Sequence, residues 1–255
     1  MLPQDLTDIA DQIEAARVGA APVAPLAAAI GDAARGYAIQ RALIARGGPL
    51  AGRKIGLTSK LVQEQLGVFE PVHGPIFAER VLQDGAVLDA SELIAPKVEP
   101  ELAFTLASDV TEALEGDALA ATIAHVTPAI EIVDSRVRDW GFKLPDMVAD
   151  YAVGHSVVIG ARSTPIKGLD LAAVHVTAHR NGAVAGEGTG AACLGHPLTA
   201  LAWLVERMVA EGTPLRAGDI VITGSLTPVL PLAPGDVYRC DYGPLGEVGF
   251  RLSTD

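Results

Sequence analysis

Aromatic residues, cysteines and long apolar runs are all scarce in this sequence. Only 4% of the 255 residues are aromatic, and only two are cysteines. Cys193 and Cys240 provide neither a disulfide framework nor the ligand spacing of a metal site. No apolar run approaches the roughly 20 residues that a membrane-spanning helix requires. The acidic, amphipathic start has no basic and apolar leader. We therefore expect a cytoplasmic protein that contacts no membrane.

Positive charge is also scarce. The chain has 19 lysines and arginines against 31 acidic residues, which gives a formal net charge of −12. An acidic protein is a poor partner for nucleic acid or for an anionic membrane surface. A small anionic substrate remains compatible with this charge, because a metal ion and one or two cations can reverse the local potential.

Several catalytic and cofactor motifs are missing. The sequence has no Walker-type loop, no GxGxxG after a strand, no GxSxG and no CxxC. These absences argue against nucleotide cofactors and against serine-hydrolase chemistry. The 27 glycines and 17 prolines favour short strands joined by tight turns.

The hydrophobic pattern divides the chain into a helical lead-in, 1–50, and a β-rich body, 51–255. The lead-in is predicted to hold a helix over 3–18, a connector over 22–31, and a second helix that Asp32 caps. In the body, helical patterns at Glu115–His125 and Pro197–Ala210 interrupt short apolar runs that are typical of strands. The sequence predicts an α+β fold.

Two carboxylates lie two residues apart in the strand-like run Lys97–Phe104. Side chains alternate along a strand, so Glu99 and Glu101 should project to the same side. Two buried like charges repel, and a divalent cation is the usual compensation. A solvated face is the alternative. Pro100 removes one ladder hydrogen bond, which predicts an edge strand or a bulge at this position.

A second strand-like run, Ala129–Val133, carries the single acid Glu131. Three carboxylates from two strands would form half of a shell for a cation that prefers oxygen ligands. Mg²⁺ and Mn²⁺ are such cations.

Two further residues are candidates for proton transfer. Lys54 lies in a short apolar strand among small residues, where burial would lower its pKa and suit it to grip an anion. His73 lies in the turn-rich run Pro71–Pro75 and could carry a proton or contact substrate. An exposed lysine and an exposed histidine are the alternatives.

Two loops after strands offer donors for a ligand. Arg136, after the Glu131 strand, could bind a carboxylate or pair with a neighbouring acid. The triplet Thr223-Gly224-Ser225 would let small donors approach a ligand, although it also fits an ordinary turn.

Six runs in order resemble one family. They are Gly52–Thr58, Val98–Ala103, Pro128–Glu131, Ser135–Trp140, Leu194–Leu198 and Gly218–Gly224. Together they are similar to the 2-oxopent-4-enoate (2-hydroxypenta-2,4-dienoate) hydratases and the 4-oxalocrotonate decarboxylases, which belong to the fumarylacetoacetate-hydrolase-like superfamily. The resemblance runs from about residue 30 to the C-terminus.

This resemblance implies a mixed β-rich roll with outer helices, a small 2-oxo or 2-hydroxy-dienoate carboxylate as substrate, and a homo-oligomer that could associate with an enzyme of the same pathway. It implies Mg²⁺ or Mn²⁺ bound by Glu99, Glu101 and Glu131, and makes Lys54 the active-site lysine, while His73 stays a catalytic candidate on its loop position alone. Residues expected near the substrate are Arg136, Asp150, Thr223 and Ser225.

Two positions depart from the family pattern. Tyr151 stands where relatives commonly have asparagine, and Val72 where hydratases commonly have an acid. Four functions therefore remain open: a hydratase, a decarboxylase of a six-carbon 2-oxo dioate, an acylpyruvate-type C–C hydrolase, and a non-catalytic metal-binding homologue.

Overall fold

The computed structural model describes residues 2–254. The helices are α1 Gln4–Val18, α2 Ala27–Ile30, α3 Ala33–Ile44, α4 Lys60–Leu66, α5 Gly116–Ala120, α6 Leu144–Ala149 and α7 Pro197–Ala210. The strands are β1 Leu50–Gly56, β2 Val72–Phe77, β3 Val81–Gln83, β4 Ala86–Leu88, β5 Lys97–Leu106, β6 Ile123–Val133, β7 Gly154–Ile159, β8 His175–Arg180, β9 Ala183–Thr189, β10 Ile220–Ile222, β11 Leu230–Pro231, β12 Val237–Asp241 and β13 Glu247–Leu252.

These strands form two mixed sheets. The larger sheet has the order β2-β1-β10-β5-β6-β7-β3, with β11 also paired to β5, and the smaller has the order β4-β13-β12-β8-β9. Strands β5 and β6 run antiparallel through the middle of the larger sheet. The α+β prediction is confirmed.

The largest apolar core joins the two sheets and α7. Phe104 and Ile130 from the larger sheet, Tyr238 and Phe250 from the smaller, and Leu204 from α7 all belong to it. Helix α7 has the bounds that the sequence predicts, with Pro197 at its start.

Helices α1 and α3 pack on the larger sheet through a second cluster. Ile9 and Ile13 of α1 and Ile39 of α3 lie in this cluster with Phe77 and Tyr151. Asp32 caps α3 as predicted, since its side chain accepts a hydrogen bond of 2.8 Å from the Arg35 amide. The lead-in therefore covers part of the sheet.

Two predicted elements differ from the structure. The connector predicted over 22–31 contains the short helix α2. The helix predicted over Glu115–His125 ends at Ala120, and β6 begins at Ile123. The Thr122 hydroxyl donates to the Leu119 carbonyl at 2.7 Å where that helix ends, and the branched Thr122 and Ile123 favour extended backbone.

Pro100 lies neither on an edge strand nor at the bulge of β5. Strand β5 is central, and its irregular pairing with β6 falls at Thr105 and Leu106. On the other side, β5 pairs with β10 at 103–105 and with β11 at 97–98. Pro100 lies in the gap between these two partners. Its missing N–H therefore costs the sheet no hydrogen bond.

Among residues 2–254, none of the helices combines the length and the apolarity that crossing a bilayer would require.

Candidate active site

Three glutamates converge on the central strands of the larger sheet. Glu99 lies directly opposite Glu131 in the pairing of β5 with β6, and Glu101 follows Glu99 on the same face. One carboxylate oxygen from each lies within 4.8 Å of the others. Glu101 is 0% exposed and Glu131 is 1% exposed. Glu99 is partly exposed and lines a cavity, so the predicted triad has two buried members and one that faces that cavity, and is not a solvated face.

Burial and mutual repulsion make these acids weak. Burial first, and then the neighbouring carboxylates, raise the pKa of Glu101 well above its usual range. Burial also raises the pKa of Glu131 to about 7, although Lys54 opposes the shift. The pKa of Glu99 is raised by burial as well. Carboxylates held in this way gain from a bound cation, which would stabilise the charged form of all three.

The cluster also fits the ligand preferences of a hard divalent cation. It offers oxygen atoms only, and Glu101 Oε1 is a buried acceptor with no hydrogen-bond partner among the described residues. A buried carboxylate oxygen without a donor is costly unless a cation satisfies it. These three residues therefore fit Mg²⁺ or Mn²⁺.

Lys54 of β1 reaches the same cluster. Its Nζ lies 3.0 Å from Glu131 Oε2 and donates a 3.0 Å hydrogen bond to the Ala152 carbonyl. Burial opposes the ammonium charge, but the carboxylates of Glu131, Glu99 and Glu101 outweigh it and raise the pKa of Lys54. The sequence-based expectation of a lowered pKa is wrong, because it considered burial without these three acids.

The loop after β10 supplies a backbone donor to the cluster. The Gly224 amide donates a 2.7 Å hydrogen bond to Glu101 Oε2. Gly224 has a φ of +103°, and a Cβ on it would lie 2.0 Å from Thr58 Oγ1. Only glycine fits both this conformation and this close approach.

A cavity of about 530 Å³ opens beside the cluster. Its charged lining residues are Lys54, Lys97 and Glu99, and hydroxyl groups come from Thr58, Ser59, Ser225 and Thr227. The remaining lining is mostly apolar and includes Leu57, Val62, Val133, Trp140, Phe142, Met147, Val153, Leu226 and Val229. Ser225 is therefore one of the lining residues, whereas Thr223 is fully buried and is not among them.

His73 is not brought to this cavity. Its ring stacks on Tyr37 at 4.6 Å between centroids, and its Nε2 lies 3.3 Å from Glu211 Oε1. Its neighbour Val72 packs instead with Met147 and Val153, which line the cavity. Because side chains alternate along β2, His73 lies on the face opposite to Val72. His73 is not among the residues that line the cavity.

Arg136 and Asp150 bind each other instead of lining the cavity. The Arg136 Nε forms an ion pair with Asp150 Oδ1, and its amide donates to Asp150 Oδ2 at 3.0 Å. The Arg136 guanidinium also donates to the Asp150 carbonyl at 2.9 Å. Both side chains are 1% exposed. Neither residue is among those that line the cavity.

The acceptor for Lys54 belongs to an unusual turn that the sequence does not reveal. Tyr151, Ala152 and Val153 have φ angles of +54°, +51° and +57°. A β-branched valine rarely adopts this left-handed region, and such strain concentrates at functional sites. None of the three residues is glycine, so the sequence carries no local signal for this turn.

The fold and site define a family. The profile of the fumarylacetoacetate (FAA) hydrolase C-terminal family matches residues 70–253. The chain belongs to this family.

Individual relatives match this chain over most of its length. The 2-keto-4-pentenoate hydratase of Burkholderia vietnamiensis is 42% identical over 251 residues, which cover 95% of each chain. The 2-hydroxyhexa-2,4-dienoate hydratase of Comamonas testosteroni is 44% identical over 82% of this chain and 80% of its own. The 4-oxalocrotonate decarboxylase of Pseudomonas putida G7, solved with magnesium and adipate, has a TM-score of 0.90 and 33% identity over 98% of this chain and 97% of its own.

Proposed function

We propose that the protein is a divalent-metal-dependent hydratase. Protonation of a 2-hydroxy-2,4-dienoate at C5 gives the α,β-unsaturated 2-oxo-3-enoate, and addition of water at C4 then gives a 4-hydroxy-2-oxo acid. The observation that carries the proposal is the buried glutamate cluster with Lys54 against it, at the wall of an apolar cavity. The names of the relatives that are 42% and 44% identical support the same reaction.

Glu99, Glu101 and Glu131 would hold Mg²⁺ or Mn²⁺. When bound, the cation supplies Lewis-acid polarisation of the substrate's C2 oxygen. Lys54, whose Nζ lies 3.0 Å from Glu131 Oε2, would place an ammonium group beside the same oxygen of the substrate. Negative charge on the C2 oxygen grows as water adds at C4, and a preorganised ammonium stabilises that charge.

The hydroxyl groups of the cavity serve a different purpose. Thr58, Ser59 and Ser225 line the wall, and the Ser225 Oγ accepts a 3.4 Å hydrogen bond from the Thr227 amide. Hydroxyl groups can both donate and accept, so they can orient a water molecule beside an alkene that offers no polar handle.

The apolar part of the cavity favours a substrate with one carboxylate. A dioate would bury its second carboxylate, which requires a cation or several donors. Arg136 pairs with Asp150 and His73 contacts Glu211, and neither lines the cavity. A hydrogen or an alkyl group at the far end fits these walls better.

Decarboxylation of a six-carbon 2-oxo dioate is the second candidate. The decarboxylase at 33% identity supports it, as does Lys97, which lines the cavity with its Nζ 3.7 Å from the Trp140 ring centroid. Two lysines are among the described residues that line the cavity, and Lys54 is engaged with the glutamate cluster. Lys97 is therefore the one available to bind a second carboxylate.

The deciding experiment compares two substrates with metal-stripped and Mg²⁺-loaded protein. Metal-dependent loss of the ultraviolet band of 2-hydroxypenta-2,4-dienoate, with a 4-hydroxy-2-oxo acid as product, is the expected result. Release of CO₂ from 4-oxalocrotonate without hydration of the dienoate would replace the proposal with the decarboxylase. Glu101→Gln should abolish turnover, while Glu92→Gln, a change in an exposed ion pair with Arg80, should leave it unchanged.

We also propose a cytoplasmic homo-oligomer that could associate with an enzyme of the same pathway. This part rests on the family resemblance. Light scattering on the purified protein would test the oligomer, and co-purification with the enzyme that consumes the hydroxy-oxo acid would test the association.

A further inference from the structure

A second cavity lies between α1 and the larger sheet. Its volume is about 190 Å³, and it shares no lining residue with the cavity beside the glutamates. Arg17, Arg80, Phe77 and Tyr151 are among its walls. A space of this size holds a small ion or a molecule of a few carbon atoms, and is below the range of drug-sized ligand pockets.

Arg17 provides an uncompensated positive charge in this cavity. Its guanidinium carbon lies 4.8 Å from the centroid of the Tyr151 ring and 5.4 Å from that of Phe77. Within the described part of the chain, no carboxylate forms an ion pair with Arg17, whereas the nearby Arg46 has two such partners. Aromatic faces attract a guanidinium but do not neutralise its charge.

Other cations face the same region. Arg80 pairs with Glu92 through one nitrogen at 2.7 Å, but its buried Nε has no hydrogen-bond partner among residues 2–254. Burial, followed by the positive charges of Arg80, Arg136 and Arg17, lowers the pKa of His155 to about 3. Three arginines that repel one further proton mark a strongly positive region.

The acids at this cavity do not cancel that charge. Glu14 lines it, but its carboxylate lies 3.0 Å from Arg46. Glu79 also lines it and is exposed. An acid in the walls weakens binding of a large polyanion and leaves a small anion as the better fit.

We infer that this second cavity binds a small oxyanion, a carboxylate or a phosphate, between Arg17 and Arg80 on the Tyr151 side of the sheet. The inference goes beyond the proposed function and does not depend on it. Guanidinium groups pair with both kinds of oxyanion through parallel N–H donors. The inferred site also gives Tyr151, a departure from the family pattern, a role: its ring is the aromatic surface on which Arg17 lies.

The test is calorimetric titration of the Mg²⁺-loaded protein with inorganic phosphate and, separately, with acetate. Arg17→Met is expected to weaken binding by about tenfold or more, because a charge-assisted pair is lost. Arg216→Met is the matched control, since Arg216 has the same charge but lies in an exposed ion pair with Asp109 and does not line the cavity, and it should bind as the unchanged protein does. Acetate binding with the same dependence on Arg17 assigns a carboxylate, and binding of phosphate alone assigns a phosphate.

Two further variants keep the outcome decisive. Arg80→Met should weaken binding similarly, and it replaces Arg17→Met if that variant does not fold. Lys54→Met should leave binding unchanged, which separates this cavity from the glutamate cluster. Absence of binding up to about 10 mM of either ion, or an affinity in both the Arg17 and the Arg80 variant that equals that of the unchanged protein, would overturn the inference.

Discussion

The ammonium group of Lys54 lies 3.0 Å from the Glu131 carboxylate, and both side chains are 2% exposed. Each group changes the other's protonation. Lys54 opposes the rise in the pKa of Glu131, and Glu131 is the strongest of the acids that raise the pKa of Lys54. The pair therefore places the Lys54 ammonium group beside the oxygen atoms that would bind a cation.

Replacing Lys54 with methionine tests this charge. Lys54→Met should lower kcat by about 100- to 1000-fold, the usual loss when one preorganised charge donor is removed. Mg²⁺ affinity should not fall, because the substitution removes a like charge beside the metal. Steady-state kinetics and a metal titration would measure both effects. Lys60→Met, at an exposed lysine, is the control. Unchanged turnover with normal metal content would show that Lys54 has no catalytic role.

The glutamate cluster predicts a specific pH dependence for the metal-free protein. In the unfolded chain these acids titrate near 4.5, whereas the pKa of folded Glu131 is about 7. Between these values the folded state holds more protons than the unfolded state, so the contribution of Glu131 to stability falls as the pH rises. Mg²⁺ should reverse this loss, and its stabilising effect should grow from pH 5 to pH 7.

Thermal unfolding with a chelator and with Mg²⁺ would measure this effect. Other groups titrate in the same window; neutral His155, for example, favours stability at higher pH. Glu131→Gln removes the contribution of the cluster alone, so the difference between this variant and the unchanged protein isolates it. The prediction is contradicted if, without metal, the melting temperature of the unchanged protein and that of Glu131→Gln change equally with pH.

The sequence predicts the cluster well because local geometry determines it. Glu99 and Glu101 share a face through the two-residue period of a strand, and that rule holds without knowledge of the partner strand. Strand β2 gives no such guidance. All six of its residues are buried, so no alternation of polarity shows which face His73 takes.

The contacts of Arg136 also could not be read from the sequence. Its partner Asp150 is 14 residues away, and the two meet where the left-handed turn at 151–153 begins. None of these three turn residues is glycine, so the turn has no local signature. The sequence identifies an arginine that needs an anion, but only the tertiary structure shows that the protein itself provides it.

The Arg136–Asp150 pair should therefore contribute to stability more than to substrate affinity. Asp150→Asn leaves a buried guanidinium without its counter-charge, which should cost about 3–5 kcal/mol. Asp109→Asn removes half of the exposed pair with Arg216 and should cost at most about 1 kcal/mol. Denaturant unfolding measures both values. A large rise in KM with normal stability would return Asp150 to the substrate site.

Gly224 links the fold to the metal cluster, and its substitution separates two effects. Gly224→Ala places a methyl group 2.0 Å from Thr58 Oγ1 at a φ of +103°. Gly218→Ala is the matched control, since its φ is +89° but its added methyl group meets nothing within 4 Å. The control should lose about 1–2 kcal/mol through backbone strain alone. Gly224→Ala should lose about 1–3 kcal/mol more through the clash.

The same substitution should also weaken metal binding, because the Gly224 amide holds Glu101 Oε2 at 2.7 Å. Movement of the loop to relieve the clash would release this oxygen and disturb the geometry of all three glutamates. A Mg²⁺ titration of both variants is the measurement, and only Gly224→Ala should show a loss, of about tenfold or more. Equal affinities in the two variants would mean that the cluster does not depend on this backbone donor, and that the neighbouring strands alone position Glu101.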